Sequence, residues 1–422
     1  MKGCTPDIQK KLESLPIPNN KFFLWHIYFK EVFDNGGFDI VIGNPPYIDS
    51  ETMVRIMPTE RNLYADIFSC ASGNWDMFII FIELSISLLK DKGVFSNIIP
   101  NKLIAAKYGV ELRKLLSKQH IIEIRDYSRI DVFEDAAVYP ITIVLHKKEE
   151  IGDTLFVIME NRIDIKQSNI TKSTNLSKNN YWDPFFTETP IFNLITKINS
   201  FNTLNNLPVQ VLGAATVAEA YEIKNWVQDN SSLNGFKLIN SGTIDPYLTF
   251  WGIRQCRYIK GSYVYPKVPT LDLQNYSTIR YNQAKSPKII VASMTTKYEA
   301  YLDRLGEYLA GKSTTIILGD FKNLCKLTAI INSKLASFWL NIMFNSLKMS
   351  GGAINIGKNE LQLLPIPEKD YDFEDLVKQI ISKKEASISS NTSDLERNID
   401  NIVYKLYGLT DDEIEIIETI NM

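Results

Sequence analysis

Histidine is scarce and cysteine is dispersed in this chain of 422 residues, which holds three His (His26, His120, His146) and four Cys (Cys4, Cys70, Cys256, Cys325) with no C-x-x-C pair. That spacing argues against a zinc site or a disulfide framework and for reduced, mostly buried thiols. Long apolar runs are missing too: stretches such as residues 78–81 and 414–417 are short and broken by polar or charged positions. No membrane span is expected from them. Residues 1–16 carry Lys2, Lys10 and Lys11 and no apolar signal core, so no secretory address is expected and the cytoplasm is the expected location. Glycine (20) and proline (17) are not in excess, which with 45% hydrophobic and 23% charged residues excludes a collagen-like or disordered chain. What is present is enough chain for two domains and a small helical appendage.

The net charge of −3 argues by itself against a nucleic-acid partner, but the average hides segregation. Residues 251–360 hold 15 Lys and Arg against 6 Asp and Glu, a net of +9, whereas residues 368–422 hold 6 against 14, a net of −8. Clustered surface charge is the plain explanation. Aromatics interleave with the cations, however, in the order Trp251, Arg254, Arg257, Tyr258, Lys260, Tyr263, Tyr265, Lys267. Such a mixture suits phosphate neutralisation with base or sugar contact.

Periodicity sets the fold expectation. Residues 38–42 (FDIVI), 93–99, 121–127 and 139–146 read as strands, and residues 76–90 and 108–117 as helices. Alternation of this kind predicts an α/β fold, a partial doubly wound (Rossmann-like) sheet whose ligands lie beyond the strands' carboxyl ends. The last two strands are joined by too few residues for a crossover helix, and are expected as antiparallel neighbours at a sheet edge. Residues 161–189, rich in Asn, Ser and Thr, read as a linker. The expected division is therefore residues 1–160 (catalytic half), 161–189 (linker), 190–370 (mixed α/β) and 371–422 (helical). In the last segment Ser393 with Glu396, and Thr410 with Glu413, have capping-box spacing, and Gly408 is a helix stop.

Chemistry is concentrated where residues 38–42 run into Gly43, Asn44, Pro45, Pro46 and Tyr47. Consecutive prolines stiffen the corner and remove two N–H groups, leaving carbonyls and the Asn44 amide as acceptors. An ordinary rigid turn would have the same composition. An exocyclic amine on an aromatic ring is a poor nucleophile because its lone pair is delocalised into the ring. Two acceptors set tetrahedrally about it would localise that pair without a strong base, so that orientation and desolvation supply most of the acceleration.

Residues 44–47 resemble the fourth motif, Asn-Pro-Pro-Tyr, of the N6-adenine DNA methyltransferases, and residues 76–89, 92–93, 99–102 and 126–140 resemble later stages of the TaqI-like and type IIG members. The resemblance implies that Asn44 and the Pro45 carbonyl accept the protons of a flipped adenine's amine, that Tyr47 stacks on the base, and that Phe133 covers its other face. It also implies S-adenosylmethionine as cofactor, bordered by Pro46, Asp76 and Phe78. Phe133 could instead be a core aromatic, and Asp76 and Phe78 a helix-start acid and a helix-face aromatic. Residues 288–292, 299–301, 311–314, 331–334 and 363–367 resemble the TaqI-like target-recognition domain. Recognition of double-stranded DNA is then expected of Arg254, Arg257, Lys260, Lys312 and Lys348, each of which could equally be solvated surface.

The match has a gap. The family holds its cofactor with a glycine loop and an acid ahead of the Asn-Pro-Pro-Tyr corner, and residues 1–43 offer neither. The sheet is expected to lack its first strands, and a second polypeptide is expected to complete it. The expected function is the catalytic-loop and specificity portion of a site-specific adenine methyltransferase of a restriction-modification system. The rivals are a non-enzymatic DNA-specificity subunit and the C-terminal fragment of a type IIG restriction enzyme.

Overall fold

The computed structural model describes residues 23–133, 139–148, 152–349 and 351–420, in two compact units, Met1–Thr189 and Pro190–Met422.

The first unit is built on six strands: β1 (Phe38–Gly43), β2 (Leu89–Pro100), β3 (His120–Asp126), β4 (Pro140–His146), β5 (Asp153–Met159) and β6 (Ile165–Lys172), in the spatial order β1-β2-β4-β3-β5-β6. β1 and β2 run parallel, as do β3 and β5, while β2/β4, β3/β4 and β5/β6 are antiparallel. The sheet is thus mixed, with α/β alternation along the chain as expected and β4 antiparallel to both of its neighbours. The short connection from β3 to β4 does make them antiparallel neighbours, but not at an edge, because β4 inserts beside β2 and two further strands follow β3. Period-two alternation buries Phe95, Asn97 and Ile99 of β2 and Ile141, Ile143 and Leu145 of β4 on one face. The helix Phe78–Leu88, with Phe78, Ile79, Ile80, Ile82 and Ile86 buried, packs beside β2.

Residues 161–189 are not a linker. They supply β6 and a short turn whose Trp182, Phe185 and Phe186 are buried, the two phenylalanines lying 5.3 and 4.9 Å from the Phe156 ring. The polar composition that suggested a loop serves the backbone instead: Gln167 Nε2 donates to the Phe186 carbonyl at 2.8 Å and Asn169 Nδ2 to the Thr187 carbonyl at 3.1 Å.

In the second unit, Lys288–Ala292 lies between Ala300–Asp303 and Thr314–Leu318 in an antiparallel sheet, with Gln210–Gly213 outermost. A second sheet places Gly235–Ile239 between Tyr308–Ala310 and Pro266–Pro269. The apolar stretch around residues 324–344 is two helices, Phe321–Ile331 and Lys334–Met343, parted where Ser333 Oγ caps Ala336 N and the Asn332 amide bridges the backbone of Ala300. Three helices close the unit: Glu374–Ala386, Ser393–Leu406 and Asp411–Ile420. Thr410 and Glu413 form the expected reciprocal cap, and Gly408 adopts φ +64°. Ser393 is the first helical residue instead of the cap, and Thr392 takes the bond with Glu396. Cys70, Cys256 and Cys325 are buried, which pushes their thiols up to about 12, 11 and 12. Among the described residues no helix is long and apolar enough to cross a membrane.

Asp400 gives this unit a pH signature. Its carboxylate accepts from Lys334 N at 2.9 Å, at the start of Lys334–Met343, yet burial raises its pKa to about 6, with Glu418 and Glu396 adding to the rise. A folded-state value above the unfolded one of about 3.9 means that stability is greatest below about pH 4 and is lost as pH rises through 6. Asp400→Asn keeps an acceptor for Lys334 N and is expected to raise unfolding stability at pH 7 by about 2 kcal/mol and to flatten the pH 4–6 slope in urea melts. A variant less stable than the wild type at pH 7 would contradict it.

Candidate active site at the end of the first strand

β1 ends at Gly43, and register carries that position across the sheet: Gly43 is paired with Asn97, Asn97 with Ile143, and Ile143 with Ile124. β1, β2 and β3 all run in one direction, so their carboxyl ends, at Gly43, Pro100 and Asp126, lie along one edge of the sheet. Glycine is required at position 43 because a Cβ there would lie 2.9 Å from Asn97 Oδ1. Asn97 is buried, and this oxygen has no hydrogen-bond partner among the described residues.

The next four residues alternate in exposure. Asn44 and Pro46 are exposed, Pro45 is buried and Tyr47 is half-buried. The Tyr47 hydroxyl is buried without a partner among the described residues, and burial pushes its pKa up to about 12. The Tyr47 ring meets Phe133, which comes from the segment after β3: their centroids lie 6.0 Å apart with planes at 83°. Two aromatics 86 positions apart in the chain therefore meet beside the exposed Asn44 amide. They meet edge to face. A planar base could pass between them only if the rings turned parallel and separated.

The corner is pinned from behind. Met77 N donates to the Ile48 carbonyl at 2.9 Å and Ser50 N to Asp76 Oδ1 at 3.2 Å, while Asp49 caps the helix Ser50–Ile56 through Thr52 N at 2.7 Å. Asp76 Oδ2 accepts from the Tyr108 hydroxyl at 2.6 Å. Burial raises the Asp76 carboxyl above the ordinary carboxylate range, opposed by the Tyr108 bond and by Lys102. Asp76 thus joins the corner to Tyr108 and does not act as a helix cap. Phe78, expected at the cofactor, is completely buried and sets its ring 6.4 Å from Tyr108. It packs the core, because the helix start turns it inward. Tyr108 was missed by sequence reasoning, and nothing in its neighbourhood marks it, since its partner lies 32 positions away. Among the described residues the expected cofactor group is therefore one exposed proline, one acid engaged at both oxygens and one core aromatic. These do not make a cradle for S-adenosylmethionine.

In the second unit Arg254, Arg257, Lys260 and Lys312 are exposed and Lys348 is half-buried. Arg254 lies 4.0 Å over the Phe250 ring and donates to the Gly242 carbonyl at 3.4 Å.

Tyr108→Phe removes one donor from a half-buried carboxylate. It is expected to lower the stability of the first unit by about 1–2 kcal/mol in urea unfolding. An unchanged midpoint would show that the bond does not hold the corner.

Residues 3–133 match the family described as Eco57I restriction-modification methylase. The chain is 32% identical over 127 residues to the type II restriction enzyme and methyltransferase RM.Eco57I of Escherichia coli, covering 30% of this chain and 13% of that protein. It is 29% identical over 130 residues to the type II methyltransferase M.BstVI of Geobacillus stearothermophilus, covering 30% of this chain and 22% of that protein. The chain thus spans only a small part of these relatives. Among solved structures, the type IIL restriction-modification enzyme MmeI, in complex with DNA, is similar in fold over 89% of this chain and 55% of its own, at TM-score 0.50 and 11% identity. Residues 3–133 are thus similar to the Eco57I restriction-modification methylases, and the curated relatives they match are type II restriction-modification methyltransferases.

Proposed function

We propose that this chain is the catalytic-loop and specificity portion of a site-specific DNA adenine N6-methyltransferase, acting on a base flipped out of double-stranded DNA. The observation that carries the reading is the meeting of Tyr47 and Phe133 beside an exposed Asn44 at the strand-end edge of the sheet. Restriction-modification relatives over the same residues support it. S-adenosylmethionine would supply the methyl group. The chain's own residues act on the base: the Asn44 side-chain oxygen and the Pro45 carbonyl take the two amine protons as acceptors, holding the nitrogen lone pair toward the donor. Tyr47 and Phe133 exchange their mutual contact for contacts with the purine faces, replacing stacking lost from the duplex. Pro45 and Pro46 fix the corner so that little ordering remains to be done on binding.

The cofactor cradle is proposed to come from another polypeptide joined along β1. β1 is the outer strand of the described sheet, and Ile40 and Ile42 on one of its faces are 57% and 77% exposed. An unpaired edge with β-branched side chains in water is a surface for strand or helix addition. The rival reading is a specificity subunit that holds a flipped base without transferring methyl, and it is favoured only by the incomplete cofactor group. Uptake of labelled S-adenosylmethionine by the complete assembly separates the two, since the rival requires none.

In that assembly Asn44→Ala is expected to reduce methyl transfer to duplex DNA by about 100-fold or more, with DNA affinity within a few fold of wild type. Retained turnover would remove Asn44 from the chemistry. Phe133→Ala is expected to abolish the fluorescence rise of 2-aminopurine at the target position, and an unchanged rise would return Phe133 to a packing role.

A further inference from the structure

The cations of the basic region separate into two groups once their partners are known. Lys288 is paired with Asp303, Arg280 with Glu219, Arg304 with Glu385, Lys322 with Asp370 and Lys334 with Glu418. Three of those acids belong to the acidic residues 368–422, so much of the net +9 is neutralised inside the unit. Arg257, Lys260 and Lys312 are exposed and form no ion pair among the described residues.

Two of these three sit on one hairpin, Cys256–Tyr258 against Gly261–Tyr263, with Arg257 opposite Ser262. Its inner face is fixed: Cys256 and Tyr258 are buried, and Tyr258 belongs to a core cluster with Leu238, Val268 and Leu309. Its outer face carries Gln255, Arg257, Lys260 and Ser262, all exposed, with Ser262 Oγ donating to Gln255 Oε1 at 3.1 Å. Asn240 locks the strand to the Lys312 loop. Its Nδ2 donates to the Arg257 carbonyl at 3.0 Å and its Oδ1 accepts from Ser313 N at 3.0 Å.

The tip is conformationally expensive. A two-residue turn with both residues at positive φ favours Asn-Gly, but Ile259 and Lys260 occupy it at φ +41° and +61°. Ile259 has a compensating role, since it packs against the core cluster. Lys260 has none, being exposed and without an ion-pair partner among the described residues. A lysine kept in a glycine conformation at an exposed tip points to a ligand outside the chain.

Building on the DNA reading above, we infer that this hairpin is the base-reading element, an antiparallel ribbon that enters the major groove of duplex DNA. Arg257 addresses a guanine edge, and Lys260 and Lys312 hold flanking phosphates. The major groove admits a two-stranded ribbon, and guanine presents two acceptors matched to a guanidinium fork. An arginine on a strand whose backbone is locked loses less on binding than one on a free loop. Lysines at the tip and in the adjoining loop act as point charges, which suits phosphates and not base edges. Arg254 is excluded from the reading role because its guanidinium is already held over Phe250.

Selection of the full-length protein against a randomised duplex library tests the assignment. Arg257→Gln is expected to relax the preference for guanine at one position by about 10-fold or more, and Arg257→Lys to restore little of it. Lys260→Gly is expected to leave Tm unchanged or raised, because it removes the strained lysine, while weakening all duplexes alike and reducing the slope of log affinity against log salt by about 0.9. A-form duplex RNA is expected to show no dependence on Arg257, since its major groove is too narrow for side chains to read. If the wild type selects a sequence and Arg257→Gln selects it equally well, the ribbon is not the reader, although the DNA reading stands. If the wild type selects no duplex sequence, both fail.

Discussion

The structure depends on keeping residues 44–50 in place at the end of β1 without any help from regular secondary structure. Two prolines remove backbone donors there, so this segment cannot be held by a ladder. It is held instead by the start of the next helix, through Met77 N on the Ile48 carbonyl and the Asp76 carboxylate on Ser50 N. The same carboxylate then reaches Tyr108, so that one half-buried acid joins the corner, the helix Phe78–Leu88 and the segment after β2. Holding an ionised group there opposes its desolvation, which is why its pKa is raised while both oxygens remain engaged. The glycine before the corner answers the same demand, since only a residue without Cβ clears the Asn97 amide beneath it.

Rigidity behind the corner contrasts with incompleteness in front of it. The Tyr47 hydroxyl and Asn97 Oδ1 are both buried without a partner among the described residues, and unsatisfied buried polar atoms are rare in finished cores. Tyr47 and Phe133 satisfy each other edge to face, an arrangement worth about 0.5–1.5 kcal/mol beyond area burial. A flat ligand that gives each ring a full face replaces a contact of that size with a larger one.

The sequence was most informative where the chemistry is local. Residues 38–47 show a strand followed by a proline-locked corner, because both features are consecutive in the chain, although the apolar run suggests a buried strand whereas Ile40 and Ile42 are exposed; Thr410 with Glu413 is readable for the same reason. Long-range consequences were harder to see. Asp76 reads in sequence as a cofactor-bordering or helix-start acid because its partners, Ser50 and Tyr108, are 26 and 32 positions away. Residues 161–189 looked like a linker because composition cannot distinguish amides that face water from amides that bond backbone carbonyls, as Gln167 and Asn169 do. The edge position expected for the last two strands is not found: strand runs are visible in sequence, but whether β4 joins the edge or inserts beside β2 is decided by which faces must be buried.

Charge behaves in the same way. Counting gives a basic region and an acidic tail, and only the fold shows that the tail's Glu385, Asp370 and Glu418 are placed on Arg304, Lys322 and Lys334. Exposed ion pairs contribute little to stability. Their effect on the field is larger: neutralising those cations leaves the remaining exposed ones, among them Arg257, Lys260 and Lys312, to set the potential nearby. The first unit presents a different surface. Along β1 the exposed groups are Ile40 and Ile42 beside an Asp39–Lys90 pair, an apolar strip with its charge already balanced. A phosphate backbone gains nothing from such a strip, whereas a protein strand or helix does. The exposed cations of the 256–263 hairpin and the apolar strip along β1 are thus surfaces of opposite chemistry.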